Sequence, residues 1–122
     1  MGLKSARVLV VEDDPDVQTT LSDLFTREGY HVDVVHNGAE AITFLDEHEH
    51  PNVVLVDLLM PGVVGNELLE YLHTDRELAA IPVAIVSASP QLAPEGYKVF
   101  RKPIDVGTLL EFVREGATRT AK

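Results

Sequence analysis

The chain has 122 residues and a mass of 13.4 kDa, which is the size of one compact domain. Hydrophobic residues make up 45% and charged residues 25%, as in soluble globular proteins, and no apolar run is long enough to span a membrane. The net charge of −10 argues against direct binding of DNA or RNA, and the absence of cysteine excludes disulfides, thiolate metal sites and cysteine nucleophiles.

Five segments have the character of β-strands. Three continuous apolar runs rich in β-branched residues, at 8–11, 53–56 and 83–86, predict strands that are buried on both faces, as in a parallel sheet. The segment 31–34 alternates polar and apolar residues, and 98–101 is short and charged. We therefore expect these two strands at the edges of the sheet.

Helical patterns lie between the predicted strands. The first covers 15–28, with Asp14 in the N-cap position. Asn37, with Glu40 three residues later as a capping-box partner, predicts the start of the second helix. A third amphipathic pattern covers 66–75.

The last part of the chain predicts one more helix and one unusual connection. The helix is expected to begin after the N-cap Asp105 and to stop at Gly116. Between the fourth and fifth strands the chain is too short for a full helix, and Pro94 cannot lie in a helix interior. We therefore expect 88–97 to be a short turn or an irregular loop, with the fourth helix shortened or missing.

The alternation of strands and helices defines the fold class. It predicts an α/β protein with a flavodoxin-like, doubly wound, five-stranded parallel sheet in the order 2-1-3-4-5 and helices on both faces. We expect one domain over 1–122, with its core at about 6–116.

Polar side chains follow the predicted strands where each strand ends. Glu12 and Asp13 follow the first strand, Asp57 closes the third, Ser87 the fourth and Lys102 the fifth. The carboxyl ends of parallel strands share one edge, where open α/β sheets bind ligands. Converging carboxylates repel unless a cation intervenes, and oxygen donors of this kind suit Mg²⁺. A carboxylate at the end of the central strand, with a metal, a lysine and a hydroxyl nearby, has the equipment for phosphoryl transfer.

Four motifs together resemble one family over essentially the full length of the chain. In this order and on these strands, they are similar to the motifs of a response-regulator receiver domain of two-component signal transduction, the CheY-like fold. The motifs are Val10–Pro15 (VVEDDP), Val56–Gly62 (VDLLMPG), Val86–Ala88 (VSA) and Arg101–Pro103 (RKP).

The resemblance implies a phosphoacceptor and a metal site. Asp57 would take a phosphoryl group from a histidine kinase or phosphotransfer protein in a Mg²⁺-dependent reaction. Asp13 and Asp57 would hold Mg²⁺ directly. Glu12 would act largely through water, and the backbone carbonyl of Leu59 would complete the ligand set.

The resemblance also implies roles for two further side chains. The Ser87 hydroxyl would bind a phosphoryl oxygen, Lys102 would pair with the phosphoryl group, and the Lys102–Pro103 peptide bond would be cis. Such a domain is not an enzyme on other substrates, since it promotes only its own phosphorylation and dephosphorylation and signals by conformational change. We expect a cytoplasmic protein, with an output domain or protein target as a further partner and no contact with a membrane.

Two positions depart from the family pattern. The family usually has an aromatic residue three positions before its lysine, where this chain has Val99. Phe100 should lie on the opposite face of the strand, whereas Tyr97 could lie on the Val99 side. Signalling through this surface is therefore expected to be altered or absent. Leu59 cannot orient a water molecule, which predicts slow self-dephosphorylation.

Rival functions differ in what they need at these positions. A dehalogenase-type phosphatase would need a second acid where Leu59 stands, and a flavodoxin would need a phosphate-binding loop where the acidic residues 12–14 stand. A pseudo-receiver, an interaction module with the fold but without phosphoryl signalling, stays open. The complete acidic set argues against it and the shortened connection at 88–97 argues for it.

Overall fold

A computed structural model describes residues 6–57 and 64–120. Five parallel strands form one sheet in the order β2-β1-β3-β4-β5, which confirms the predicted fold class. Their bounds are β1 Arg7–Val11, β2 His31–Val35, β3 Val53–Asp57, β4 Val83–Ser87 and β5 Lys98–Arg101. The three apolar strands lie at the centre and the two polar ones at the edges, as their sequences predict.

Helices cover both faces of the sheet. Their bounds are α1 Pro15–Arg27, α2 Gly38–Glu47, α3 Val64–Leu72, α4 Arg76–Ala79 and α5 Val106–Thr120. The core on one face includes buried side chains of α1 and α5, and the core on the other includes those of α2, α3 and α4. In the described part of the chain, no helix is long and apolar enough to cross a membrane.

Side-chain caps fix where α2 and α5 begin. The Asn37 side chain accepts the Glu40 N–H at 2.8 Å, and Asp105 accepts the Thr108 N–H at 3.3 Å. In a capping box, the side chain of Glu40 would accept the N–H of the N-cap residue itself. Here it accepts the N–H of His36, one residue before the N-cap, at 2.7 Å. These two N-caps are confirmed, as is the predicted N-cap Asp14 of α1, whose side chain accepts the Asp16 N–H.

The third predicted helix ends earlier than expected, and a short separate helix follows it. The predicted helix over 66–75 is α3, which ends at Leu72, followed by the four-residue α4. The break has a local cause, because the Asp75 side chain accepts the N–H of Glu77 at 2.7 Å and so caps a new helix. The sequence prediction missed α4.

The connection between β4 and β5 lacks a full helix, as predicted. Within 88–97 the chain makes a single 3₁₀ turn, Pro90–Leu92. Ala93 is already extended, with φ −75° and ψ 142°, because the following Pro94 disfavours a helical conformation in the residue before it.

The predicted stop of the last helix at Gly116 is wrong, because α5 continues to Thr120. A Cβ atom at Gly116 would lie 2.8 Å from Cγ2 of Val53 and 3.3 Å from two carbons of Pro82. The glycine therefore lets α5 approach β3 and the start of β4 closely, and it does not terminate the helix.

We expect Gly116→Ala to destabilise the protein. The added methyl group would collide with the fully buried Val53, and overpacking of this kind costs about 1–3 kcal/mol. The gain in helix propensity returns about 1 kcal/mol, so the free energy of unfolding should fall by about 1 kcal/mol in urea titrations.

Gly107→Ala is the matched control on the same helix. Its Cβ would meet its nearest neighbour, Asp105 Oδ1, at an ordinary 3.6 Å, so this variant should be as stable as wild type or up to about 1 kcal/mol more stable. Equal stability of the two alanine variants would contradict the close-packing role of Gly116.

Candidate functional site

The predicted site residues meet at the carboxyl edge of the sheet. Glu12, Asp13 and Asp57 each offer a carboxylate oxygen, and these oxygens lie within 4.8 Å of one another. Glu12 and Asp57 are only 2% and 5% exposed, whereas Asp13 lies at the surface. Ser87 ends the strand beside β3 and is 2% exposed.

Lys102 supplies the positive charge of this site. Its Nζ donates a hydrogen bond to Oδ2 of Asp57 at 2.9 Å and lies 3.5 Å from Oε1 of Glu12. The ammonium group therefore bridges the two buried carboxylates. A carboxylate that is both buried and paired with a lysine is held in one orientation.

The donor set suits Mg²⁺. Three carboxylates face one lysine, so two negative charges stay uncompensated when all three acids are ionised. A divalent ion would balance that charge, and oxygen ligands are those that Mg²⁺ prefers. The predicted fourth ligand, the carbonyl of Leu59, lies outside the described residues.

Crowding of the acids changes their protonation. The pKa of Glu12 is raised to about 7, mainly by burial and also by the charge of and hydrogen bond to Asp57, while the Asp14 N–H and Lys102 oppose this rise. Burial alone would lower the pKa of Lys102, but its hydrogen bond to Asp57 and the negative charges of Asp57 and Glu12 raise it above its ordinary value. Without a metal, the site therefore holds an extra proton on Glu12 below about pH 7.

Ser87 forms hydrogen bonds with Ser89, two residues later, and with Lys102, which follows β5. Its Oγ accepts the N–H of Ser89 at 2.9 Å, which leaves the hydroxyl hydrogen to donate elsewhere. Its carbonyl accepts the N–H of Lys102 at 3.0 Å, so the two predicted phosphoryl-binding residues are joined through the backbone. The Lys102–Pro103 peptide bond is cis, as expected.

One further contact, from Gln18 of α1, is not among the sequence predictions. Its side-chain amide donates a hydrogen bond to the backbone carbonyl of Glu12. The sequence carries a weak signal for it, since Gln18 continues the helical spacing of Leu21 and Phe25, both of which are buried against the sheet. A polar residue that lies on the buried face of a helix, next to the last buried position, is expected at the edge of the core.

The aromatic side chains near β5 lie on opposite faces of the sheet, as period 2 predicts. Phe100 is 6% exposed and packs edge-to-face on Phe112 of α5, with ring centroids 5.8 Å apart. Tyr97 and Val99 pack on the face of α3, where Tyr97 meets His73 at 6.3 Å.

Comparisons with known proteins agree on one family. The family model for the response regulator receiver domain matches residues 8–114. The chain is 33% identical over 115 residues to the protein PilH of Pseudomonas aeruginosa, covering 88% of this chain and 94% of PilH. It is 26% identical to the signal receiver domain of a signal transduction histidine kinase from Syntrophus aciditrophicus, with a TM-score of 0.82 and coverage of 95% and 92%.

A third relative shares the fold. The receiver domain of a sensor histidine kinase from Pseudomonas aeruginosa, solved with a magnesium ion in its active site cleft, has a TM-score of 0.82 at 19% identity, with coverage of 93% of this chain and 98% of that one. A parallel 2-1-3-4-5 sheet with acids gathered at its carboxyl edge defines a signalling domain of the receiver class. The chain belongs to the response regulator receiver domain family of two-component signalling. It is therefore neither a flavodoxin nor a dehalogenase-type phosphatase.

We expect Glu12→Gln to stabilise the metal-free protein above pH 7. Glu12 ionises near 4.5 in the unfolded chain and at about 7 in the folded one, so between these values the folded state holds an additional proton. The contribution of this carboxyl to stability is complete below pH 4.5 and is lost as the pH rises to about 7. Urea unfolding with a chelator present should therefore show wild type losing on the order of 1–3 kcal/mol relative to the variant over this range.

Glu47→Gln, at an exposed position of α2, is the matched control and should follow wild type at every pH. Parallel pH profiles for wild type and Glu12→Gln would show that the acids do not crowd as the structure indicates.

Proposed function

We propose that this domain is a phosphoacceptor, in which Asp57 takes a phosphoryl group from a histidine kinase or phosphotransfer protein. The observation that carries the proposal is the Asp57 carboxylate itself, which is 5% exposed and 2.9 Å from the Lys102 ammonium at an edge that holds two more acids. The family supports the same assignment, since receiver domains act in two-component signalling.

The chemistry assigned to Asp57 is nucleophilic. A carboxylate oxygen of Asp57 forms a bond to phosphorus while the P–N bond of the donor phosphohistidine breaks and its electron pair stays on the imidazole. Lys102 balances negative charge on the transferred group, and the Ser87 hydroxyl donates to one of its oxygens. Both roles are supported by the Ser87–Lys102 backbone hydrogen bond, which keeps these donors together.

Glu12, Asp13 and Asp57 would hold Mg²⁺ in this proposal. The supporting observations are the converging oxygens, the uncompensated negative charge and the magnesium ion in the cleft of the Pseudomonas aeruginosa receiver domain of the same fold. When bound, the ion neutralises charge on the phosphoryl oxygens.

The surface beside the site suits a protein donor. A groove of about 300 Å³ between α1 and the start of α5 is lined mainly by apolar side chains and reaches Lys102. Its rim includes Val106, which at 46% exposure is the most exposed large hydrophobic residue in the described part of the chain. A phosphohistidine can reach Asp57 only if its carrier contacts surface next to the site, and an apolar groove there gives the carrier a place to pack.

The alternative is a pseudo-receiver that binds partners without phosphorylation. The single 3₁₀ turn between β4 and β5 favours it, because a full fourth helix is missing from that connection. The complete set of acids, lysine and hydroxyl favours the phosphoacceptor.

Incubation with acetyl phosphate and Mg²⁺ should add one phosphoryl group to wild type, as measured by intact mass. Asp57→Asn should not be labelled, because the amide is a far weaker nucleophile, and a chelator should reduce wild-type labelling at least tenfold, since the ion balances charge in the transition state. Asp46→Asn, the same change at an exposed position of α2, should be labelled as wild type is. An unlabelled wild type would favour the pseudo-receiver.

We also propose that the surface formed by 88–101 does not change conformation on phosphorylation as it would in a receiver domain with a complete helix between β4 and β5. Phe100 lies on the α5 face, packed on Phe112. Tyr97 lies on the α3 face against His73, just before β5 begins, whereas Ser87 pairs with Arg101 at the other end of that strand, so neither ring lies beside Ser87. A phosphoryl mimic such as beryllofluoride should therefore change amide exchange in 88–101 no more than in the control helix α2. A large change confined to 88–101 would show an intact switch.

A further inference from the structure

Asp13 is the least constrained of the three acids. It is exposed, and among residues 6–57 and 64–120 its carboxylate makes no hydrogen bond or ion pair. Glu12, in contrast, is held through its side chain by the Asp14 N–H at 3.1 Å and by Lys102. The position of the Asp13 carboxylate therefore depends on the backbone that carries it.

Gln18 holds that backbone on both sides of Asp13. Its side-chain amide donates to the carbonyl of Glu12, and its backbone N–H donates to the carbonyl of Asp14 at 2.9 Å. One residue of α1 thus bonds the carbonyls of the residues on either side of Asp13. The side chain fixes the Glu12–Asp13 peptide, which directly precedes Asp13, and the backbone N–H fixes the Asp14–Pro15 peptide.

The remaining contacts explain why the side-chain bond matters. The N–H of Glu12 donates to the Val35 carbonyl of β2 at 3.0 Å, which continues the sheet by one residue. The Asp14 side chain accepts the Asp16 N–H at 2.8 Å as the N-cap of α1. Strand and helix are therefore each anchored independently, and the Gln18 side chain is the link that fixes the carbonyl between them.

We propose that Gln18 is a positioning residue, whose side chain fixes the Glu12 carbonyl and thereby holds the Asp13 carboxylate where it can bind Mg²⁺. The inference rests on the proposed function and adds a residue to it. Partners of this kind, which orient a metal-binding group without touching the ion, commonly change metal affinity by an order of magnitude or more when removed. Because Gln18 acts through the backbone, the effect here should be smaller.

Gln18→Leu removes the donor while keeping a side chain of similar size. Titration calorimetry should show Mg²⁺ binding weakened by about 3- to 10-fold. Labelling by acetyl phosphate should need correspondingly more Mg²⁺ but reach the wild-type rate at saturation, because the side chains at Asp57 and Lys102 are unchanged. A merely structural role for Gln18 would not shift the Mg²⁺ requirement in this way.

Gln18→Glu separates geometry from charge. At pH 8 the new carboxylate cannot donate to a carbonyl, so Mg²⁺ should bind more weakly than to wild type despite the added negative charge. Thr19→Glu places the same charge on the exposed neighbouring residue and should bind Mg²⁺ as tightly as wild type or more tightly.

A measurement without metal tests the hydrogen bond from Gln18 to the Glu12 carbonyl directly. The Asp14 amide, which bonds the Glu12 side chain, should exchange faster in metal-free Gln18→Leu, while amides in β3 exchange as in wild type. Wild-type Mg²⁺ affinity in Gln18→Leu, or tighter binding in Gln18→Glu, would overturn the inference and leave the phosphoacceptor intact. Failure of wild type itself to bind Mg²⁺ would overturn both.

Discussion

The crowding of three carboxylates at one edge of the sheet, two of them in contact with a single lysine, is the constraint on which the rest of this domain depends. Two of these acids are buried, and the site destabilises itself through their repulsion unless a proton or a cation relieves it. The fold tolerates this because the strands beneath are apolar and fully packed, so that the stability lost at the edge is supplied by the core. Lys102 is central, since it contacts both Glu12 and Asp57.

Local sequence patterns predict most of the sheet and the grouping of the site residues at its edge. Short β-branched runs predict the strands, and a parallel sheet necessarily brings the residues that follow them to one edge. The sequence alone therefore groups Glu12, Asp57 and Lys102. What the sequence does not show are contacts between distant segments. The closeness of Gly116 to Val53 depends on how α5 seats on the sheet, which no local pattern encodes. The Gln18 contact is hidden for a related reason, because a glutamine in a first helical turn is ordinarily a solvated side chain.

The strand β5 connects the site to the rest of the domain in two ways. Its backbone is bonded to Ser87 at the site, and its side chains alternate between the α3 face and the α5 face. In this chain the backbone hydrogen bond between Lys102 and Ser87 is present, whereas Phe100 lies on the α5 face and Tyr97 on the α3 face. Any influence of the site on a partner is therefore expected to travel through the strand itself and not through the rotation of a single ring.

The helix-poor connection between β4 and β5 has a consequence for how the family's architecture can vary. This stretch has one 3₁₀ turn, and a Cβ at Gly96 (φ +96°) would meet only open space, so the stretch contributes few internal hydrogen bonds. Lengthening it by a few residues should therefore cost little stability. The two strands it joins are held by their own ladder and do not depend on it for register. Insertions and deletions should accumulate here in relatives more readily than in any helical crossover. Peptide tags placed at Gly96, away from the Ser89 N–H that bonds Ser87, should leave the acidic edge undisturbed.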